Sequence, residues 1–161
     1  MKKATDKTNV MRILEQKKVA YKAYTYETDG SLSGISVANI LGKETKTVFK
    51  TLVTQGKSKE NYVFVIPVDM ELDLKRASEA VGEKNISMVK SKDLLGLTGY
   101  IHGGCSPIGM KKFFKTVFHD SIKELENITF SAGKIGYQVE MSVKDIEKVI
   151  PYQVYDVVNK N

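Results

Sequence analysis

The spacing of apolar and polar residues divides the chain into helical and extended segments. Val10, Ile13 and Leu14 recur at helical spacing after Thr8, which predicts a helix over residues 9–17 with Thr8 as its N-cap. Two later stretches alternate in the manner of strands and are separated by a polar connection. They predict an antiparallel hairpin of strands 48–54 and 62–68.

The same reasoning gives the remaining elements. Helices are expected where helical apolar spacing follows a capping residue, and strands where β-branched and aromatic residues alternate. One expected helix begins at Ser33 or Ser36 and is closed by Gly42. The other expected helices are 74–81, which lies between Asp73 and Gly82, 91–95, which is capped by Ser91, and 142–150, which is opened by a Ser142–Asp145 capping box. The expected strands are 21–26, 86–89, part of 111–118, 128–131, 137–141 and an edge strand within 152–158.

Helices and strands are interleaved without an internal repeat, a low-complexity tract or a linker. One α+β domain over residues 1–161, with a mixed sheet, is therefore predicted. Hydrophobic residues make up 42% and charged residues 27%, which is typical of folded proteins that carry a core. Residues 1–12 are polar, unlike a secretory signal, and no apolar run approaches the length of about 20 residues that spans a bilayer. A cytoplasmic location without membrane contact is expected.

The composition also limits the kinds of catalytic site that the chain can form. Cys105 is the single cysteine, and His102 and His119 are the only histidines, so neither an internal disulfide nor a cysteine zinc cluster is predicted. We expect no metal and no cofactor. The net charge is +6, and all basic residues except Arg12 and Arg76 are lysines. Lysine suits phosphate backbones better than base edges, so either nucleic-acid contact or a solvated lysine-rich surface can explain the charge.

Lys50 is the most informative candidate for chemistry. Alternation places it on the same strand face as Val48 and Leu52, where a lysine is rarely buried without a partner. Either its stem packs while its head reaches water, or its ammonium lies at the floor of a cleft. In the second case it would hold a ribose hydroxyl, a phosphate or a developing oxyanion.

Two glycine-containing segments are the other candidates. In residues 103–109, adjacent glycines allow the backbone to approach a ligand closely and offer amides to an anion or carbonyl oxygen; a plain turn is equally consistent. Residues 131–136 predict a tight turn. Cys105 is expected to be a small buried residue and not a nucleophile, because no third group orients His102. Ser106 lacks the elbow motif of a serine hydrolase.

Taken in order, these pieces resemble the YbaK/EbsC family of aminoacyl-tRNA deacylases. The resemblance covers nearly the whole chain, and the ordered combination of Phe-Lys-Thr-Leu with Gly-Gly-x-Ser-Pro-x-Gly is its specific part. The matching segments are 11–14, 24–27, 48–52, 72–75, 98–100, 103–112 and 131–134.

The resemblance implies the fold of the editing domain found in bacterial prolyl-tRNA synthetase, which is a compact mixed and mostly antiparallel sheet, partly barrel-like, surrounded by helices. It also implies that Lys50 is the essential lysine, which positions the terminal adenosine and the ester. The implied substrate contacts are Tyr26, Thr51, the backbone amides of Gly103 and Gly104, Ser106, and Ser131 on the opposite wall.

The implied activity is removal of cysteine from Cys-tRNA(Pro), and also from Cys-tRNA(Cys). In such enzymes the thiol of the substrate attacks its own carbonyl, and prolyl-tRNA synthetase is an expected partner. Two positions depart from the family pattern, because Ser33 stands where relatives often carry phenylalanine and Gln138 stands where they often carry aspartate. The alternatives are an Ala-tRNA(Pro) deacylase, a non-catalytic tRNA-binding or regulatory module, and a generic ester hydrolase. DNA binding is not expected, since strands separate the helices.

Overall fold

The computed structural model describes residues 6–159. Its helices are α1 (Asn9–Gln16), α2 (Gly34–Ile40), α3 (Leu74–Val81) and α4 (Ser91–Thr98), with 3-10 turns at Thr45–Thr47, Asp120–Glu124 and Val143–Lys148. Its strands are β1 (Tyr21–Thr25), β2 (Phe49–Gly56), β3 (Asn61–Pro67), β4 (Ile86–Met88), β5 (Lys115–His119), β6 (Asn127–Ser131), β7 (Tyr137–Ser142) and β8 (Gln153–Tyr155). Residues 1–5, part of the polar segment 1–12, and the last two residues of the expected domain lie outside the described residues.

Side-chain caps fix the start of three helices, as predicted. The Thr8 hydroxyl accepts a hydrogen bond from Met11 N at 3.3 Å at the start of α1. Ser33 caps α2, and the Asp73 carboxylate accepts from two backbone N–H groups at the start of α3. Gly82 ends α3 with φ 74°, a left-handed conformation that glycine adopts without strain.

Two helix predictions were wrong in part. Ser91 is the first residue of α4 and not its cap; the N-cap is Lys90, which forms no side-chain cap hydrogen bond, and the helix continues to Thr98. Residues 143–148 form a 3-10 turn instead of an α-helix, and Ser142 provides no cap. The reason is that β7 extends to Ser142, which pairs with Asn127 of β6.

The strands form two sheets, in the orders β1-β7-β6 and β4-β2-β3-β5-β8. Four strand pairs are antiparallel, whereas β3–β5 and β5–β8 are parallel, so the prediction of a mixed and mostly antiparallel sheet is confirmed. The sheets remain separate and do not close into a barrel. An isolated parallel bridge between Val48 and Thr129 marks where they meet.

The five-stranded sheet is covered on both faces, and β3 shows this most clearly. Val63 and Val65 face the larger core cluster, which also contains residues of α1 and of the three-stranded sheet. Phe64 and Ile66 point the other way and pack against Ala77 of α3. Successive strand side chains alternate between faces, so a strand covered on both sides is apolar throughout. None of the helices in residues 6–159 is both long and apolar enough to cross a bilayer.

Candidate active site

A cavity of about 420 Å³ opens beside β2. Val48 and the first five residues of β2 line it, and further walls come from α2, from α4 and from the loop that contains Gly103. Of the described lining residues, Lys50 alone carries a formal charge. The structure therefore places this lysine at a cleft, as the second interpretation of the sequence requires, and not on open surface.

The position of Lys50 in the sheet explains its environment. It pairs with Ile66 across the β2–β3 ladder, in the part of β2 that lies outside the pairing with β4, and is half-buried. Burial lowers the pKa of Lys50 below its ordinary value, because a desolvated ammonium is disfavoured; the negative charges of Glu71 and Asp69 act in the opposite direction. A cation held this way can stabilise negative charge that develops on a reacting carbonyl oxygen.

Removing the charge of Glu71 should lower the pKa of Lys50 further. Glu71→Gln deletes a negative charge that favours the ammonium, so the midpoint of the Lys50 titration should move to lower pH. The measurement is an NMR titration of protein labelled at lysine Cε, with the Lys50 signal identified by its loss in Lys50→Arg. Glu124→Gln, an exposed matched control that is not among the charges acting on Lys50, should leave the midpoint unchanged. An unmoved midpoint in Glu71→Gln would contradict the electrostatic account.

The loop of residues 103–109, here called the glycine loop, closes one side of the cavity. Gly103 lines the cavity with φ 90°, and a Cβ placed there would lie 3.4 Å from the Gly30 carbonyl oxygen. Its N–H forms no hydrogen bond within the described residues, whereas the Gly104 N–H donates to the Ile101 carbonyl at 3.0 Å. Gly104 instead packs against the backbone of Lys134 and Ile135, where a Cβ would meet Ile135 N at 3.1 Å. Gly103 is thus the better placed of the two amides to meet a ligand.

Three further candidates lie around the same cavity. Tyr26 lines it and accepts a hydrogen bond on its hydroxyl from Gln138 Nε2 at 3.1 Å, while burial raises the pKa of Tyr26. Ser131 also lines the cavity, and its hydroxyl accepts from Gly133 N. The buried Thr51 hydroxyl finds no hydrogen-bond partner among the described residues, although Thr51 lines the cavity. A buried hydroxyl of this kind is available to a ligand.

Ser106 does not line the cavity. It is fully buried, and its hydroxyl accepts from Ile108 N at 3.3 Å, which gives it a role in holding the loop. Its expected contact with substrate stays a prediction that burial does not favour. Cys105 does line the cavity, but burial raises the pKa of its thiol to about 12, so the nucleophilic thiolate is scarcely populated near neutral pH.

Most of the apolar wall was missed by sequence reasoning. It comes from separate segments, and each of these side chains also fits an ordinary helix or strand pattern, so no local signal distinguishes it. The missed wall residues are Leu32, Val37, Val68, Met88, Val89, Leu94 and Ile135. Gln138, noted only as a departure from the family pattern, proves to be a buried polar wall residue that holds Tyr26.

A second group of polar residues lies elsewhere, at the ends of β5 and β8. His119, Asp120 and Asp156 bring potential metal-ligand atoms within 4.8 Å of one another. His119 Nδ1 accepts from Val157 N at 3.4 Å, and Asp156 forms an ion pair with Arg76 at 3.0 Å. These contacts explain the group as part of the packing of the C-terminal segment against the sheet. His119 is accordingly structural, while His102 lies exposed and lines the cavity.

Comparison with curated proteins finds a close relative. The chain is 45% identical over 160 residues to the Enterococcus faecalis protein named "Putative Cys-tRNA(Pro)/Cys-tRNA(Cys) deacylase EbsC". The match covers 99% of this chain and 98% of the relative.

Solved structures share the fold. One is described as a "putative trans-editing enzyme for prolyl tRNA synthetase", with a TM-score of 0.82 and 20% identity, covering 94% of this chain and 95% of the other. A hypothetical protein of known crystal structure gives a TM-score of 0.84 at 19% identity, over 93% of this chain and 99% of the other. At these identities the likeness concerns the fold. The family model of the aminoacyl-tRNA editing domain matches residues 34–149, which include β2 and the glycine loop. The chain therefore belongs to the aminoacyl-tRNA editing domain family.

Proposed function

We propose that this protein is a trans-editing deacylase that removes cysteine from Cys-tRNA(Pro), and from Cys-tRNA(Cys) as well. Membership of the editing family and the name of the 45% identical relative support the assignment. The observation that carries it is the half-buried Lys50, the one charged residue among the described lining residues of a cavity that Gly103 helps to close. In this proposal Lys50 provides a cation to the ester, and Gly103 provides a backbone N–H that has no partner among the described residues, with apolar walls around them.

The lining residues favour a reaction in which the substrate supplies the nucleophile. The Cys105 thiol is held protonated, and no hydrogen bond joins a hydroxyl or thiol to His102 among the described residues. In the proposed reaction the substrate thiol attacks its own ester carbonyl. A carbon–sulfur bond forms, the bond to the ribose oxygen breaks, and the thiol proton ends on that oxygen. The products are a four-membered thiolactone and free tRNA.

The protein contributes position and charge to this reaction. The Lys50 ammonium stabilises the negative charge that develops on the ester carbonyl oxygen, and the Gly103 N–H is the second proposed hydrogen-bond donor to that oxygen. The apolar walls hold the cysteinyl group so that its thiol stays close to the ester carbonyl. This orientation lowers the entropic cost of the attack. A synthetase pocket separates near-isosteres such as cysteine and proline by only about 1–3 kcal/mol, so a second site of this kind is needed for accuracy.

The partners follow from the substrate. We place the protein in the cytoplasm, acting as a single domain on charged tRNA, with prolyl-tRNA synthetase as its expected partner. A single domain of this size recognises the acceptor end more readily than the whole tRNA. Association with the synthetase would supply the missing preference for tRNA(Pro).

A deacylation panel tests the function and the rival activities. Purified protein is incubated with Cys-, Ala- and Pro-tRNA(Pro), and release of each amino acid is followed over time. We expect Cys-tRNA(Pro) to be cleaved at least about tenfold faster than Ala-tRNA(Pro), because alanine lacks the attacking thiol, and Pro-tRNA(Pro) to persist. Faster cleavage of the alanyl ester would identify an alanine deacylase that uses water. Tight tRNA binding without any turnover would identify a non-catalytic module.

A further inference from the structure

The rim of the cavity is unevenly charged. Ser91, which lines the cavity, lies between the exposed Lys90 and Lys92. On another side, the lining segment that contains Thr28 and Gly30 includes the exposed Glu27 and Asp29. No lysine or arginine occurs between residues 23 and 42. The exposed Lys134 precedes Ile135, which packs against Gly30, so the side of residues 26–30 is mixed in charge. The α4 side is therefore the more attractive one to a polyanion.

The basic part of the rim continues into a larger surface, here called the lysine surface. It consists of exposed side chains carried by α4 and its N-cap, by the residue pair before the glycine loop and by the segment that follows that loop: Lys90, Lys92, Leu95, Ile101, Lys111, Lys112, Phe113 and Lys115. Two contacts hold these segments together. Lys111 N donates to the Thr98 carbonyl at 3.0 Å, and its ammonium reaches the Gly96 carbonyl at 3.5 Å. Ile101 directly precedes His102 and Gly103, so the surface begins at the edge of the cavity.

The charge on this surface is uncompensated. Residues 88–115 contain five lysines and one aspartate, a net charge of +4 out of +6 for the whole chain. None of the five lysines forms an ion pair with a carboxylate within residues 6–159, in contrast to Lys43 and Lys148, which do. Ammonium groups that are exposed and lack ion-pair partners are available to phosphates.

An exposed aromatic ring lies among these lysines. Phe113 is 59% exposed, directly after Lys111 and Lys112, while Phe114 is buried in the core. An aromatic ring on a basic surface is the combination by which proteins bind unpaired nucleotides, with stacking on the ring and lysines along the backbone.

We propose that the lysine surface is where the acceptor arm of the tRNA lies, with Phe113 stacking on a nucleotide of the unpaired 3′ end. The inference rests on the proposed function and adds a direction to it: the 3′ end enters between α4 and the glycine loop. The lysines contact phosphates without reading sequence, so the surface serves any acceptor arm of the right shape.

Charge-removing variants test the lysine surface. The triple variant Lys92→Gln/Lys112→Gln/Lys115→Gln should raise KM for Cys-tRNA(Pro) roughly tenfold and weaken binding of uncharged tRNA similarly, while turnover of cysteinyl-adenosine stays within about twofold. The salt dependence of tRNA binding should become less steep by roughly two to three in log–log slope, since each lost phosphate contact removes about 0.7–0.9. The matched control Lys57→Gln/Lys123→Gln/Lys144→Gln removes the same charge from exposed positions elsewhere and should change KM little.

A second variant tests the stacking contact. Phe113→Ala should weaken tRNA binding about fivefold or more without changing the salt slope, because it removes a ring and no charge. Circular dichroism and thermal unfolding establish that each variant is folded. The proposal would be overturned if these variants bound uncharged tRNA as tightly as the wild-type protein does. It would also be overturned if the control triple variant weakened tRNA binding to the same extent as the lysine-surface variant. Equal loss on cysteinyl-adenosine and on tRNA would also overturn it, since the residues would then act at the cavity.

The same experiments separate this proposal from the proposed function. If the wild-type protein cleaves neither Cys-tRNA(Pro) nor cysteinyl-adenosine, the deacylase assignment fails. Binding of uncharged tRNA by the two triple variants still decides whether the lysine surface is the contact. If wild-type protein cleaves both substrates and the variants behave like it, only the surface assignment fails.

Discussion

Replacing Lys50 with alanine is expected to lower kcat/KM for Cys-tRNA(Pro) deacylation by about 10²–10³-fold, the usual loss when one preorganised donor to a developing oxyanion is removed. Lys50 is the one formal charge among the described lining residues, so no neighbouring cation can replace it. The fold should persist, because alanine keeps the backbone pairing with Ile66. Single-turnover cleavage of Cys-tRNA(Pro) measures the effect.

Two further variants show whether the charge of Lys50 is responsible for that result. Lys50→Arg keeps the positive charge in a larger planar group, so it should recover activity only in part. Lys57→Ala removes a lysine from the exposed turn between β2 and β3 and should retain wild-type activity. Near-normal cleavage by Lys50→Ala, with unchanged far-UV circular dichroism, would remove the chemical basis of the proposed function.

Gly103→Ala should reduce both stability and activity. The φ of 90° at Gly103 is one that L side chains rarely adopt, and the added Cβ would lie 3.4 Å from the Gly30 carbonyl oxygen. We expect the free energy of unfolding to fall by about 1–3 kcal/mol. Relief of this strain would reorient the Gly103 peptide, so deacylation should fall about tenfold or more in protein that is still folded. Urea unfolding and kinetics at a temperature where the variant is native separate the two effects.

Gly96→Ala is the matched control for that substitution. Gly96 lies in α4 with no atom near its would-be Cβ within 4 Å, and its φ is not in the left-handed region. Alanine there should stabilise the protein by about 0.5–1 kcal/mol through helix propensity, without loss of cleavage. If Gly103→Ala behaves like Gly96→Ala, the Gly103 amide has no role in the reaction.

Local patterns in the sequence predicted the elements well where local chemistry determines them. Thr8, Ser33 and Asp73 cap their helices because a short polar side chain before an apolar repeat satisfies free backbone N–H groups. Ser142 failed as a cap because the pairing of β7 with β6 outweighed its local preference. Strand pairing between distant segments cannot be recognised from the local sequence pattern.

The candidate site was predicted in part. Alternation drew attention to Lys50, since a lysine among apolar strand residues needs an explanation. The glycine pair was noticed for its backbone freedom, but sequence could not show that Gly104 N–H is taken by Ile101 while Gly103 N–H is not. The Gln138–Tyr26 hydrogen bond joins residues 112 positions apart, and only the pairing of β1 with β7 brings them together.

The pairing of β1 with β7 also has a consequence for synthesis on the ribosome. The cavity uses residues from Tyr26 to Gln138, and the parallel pairing of β3 with β5 encloses α3, β4, α4 and the glycine loop in one long connection. Closing such long loops is entropically costly and slow. We therefore expect a nascent chain to have no formed cavity until β7 has emerged from the exit tunnel, although most of the wall residues are synthesised before it.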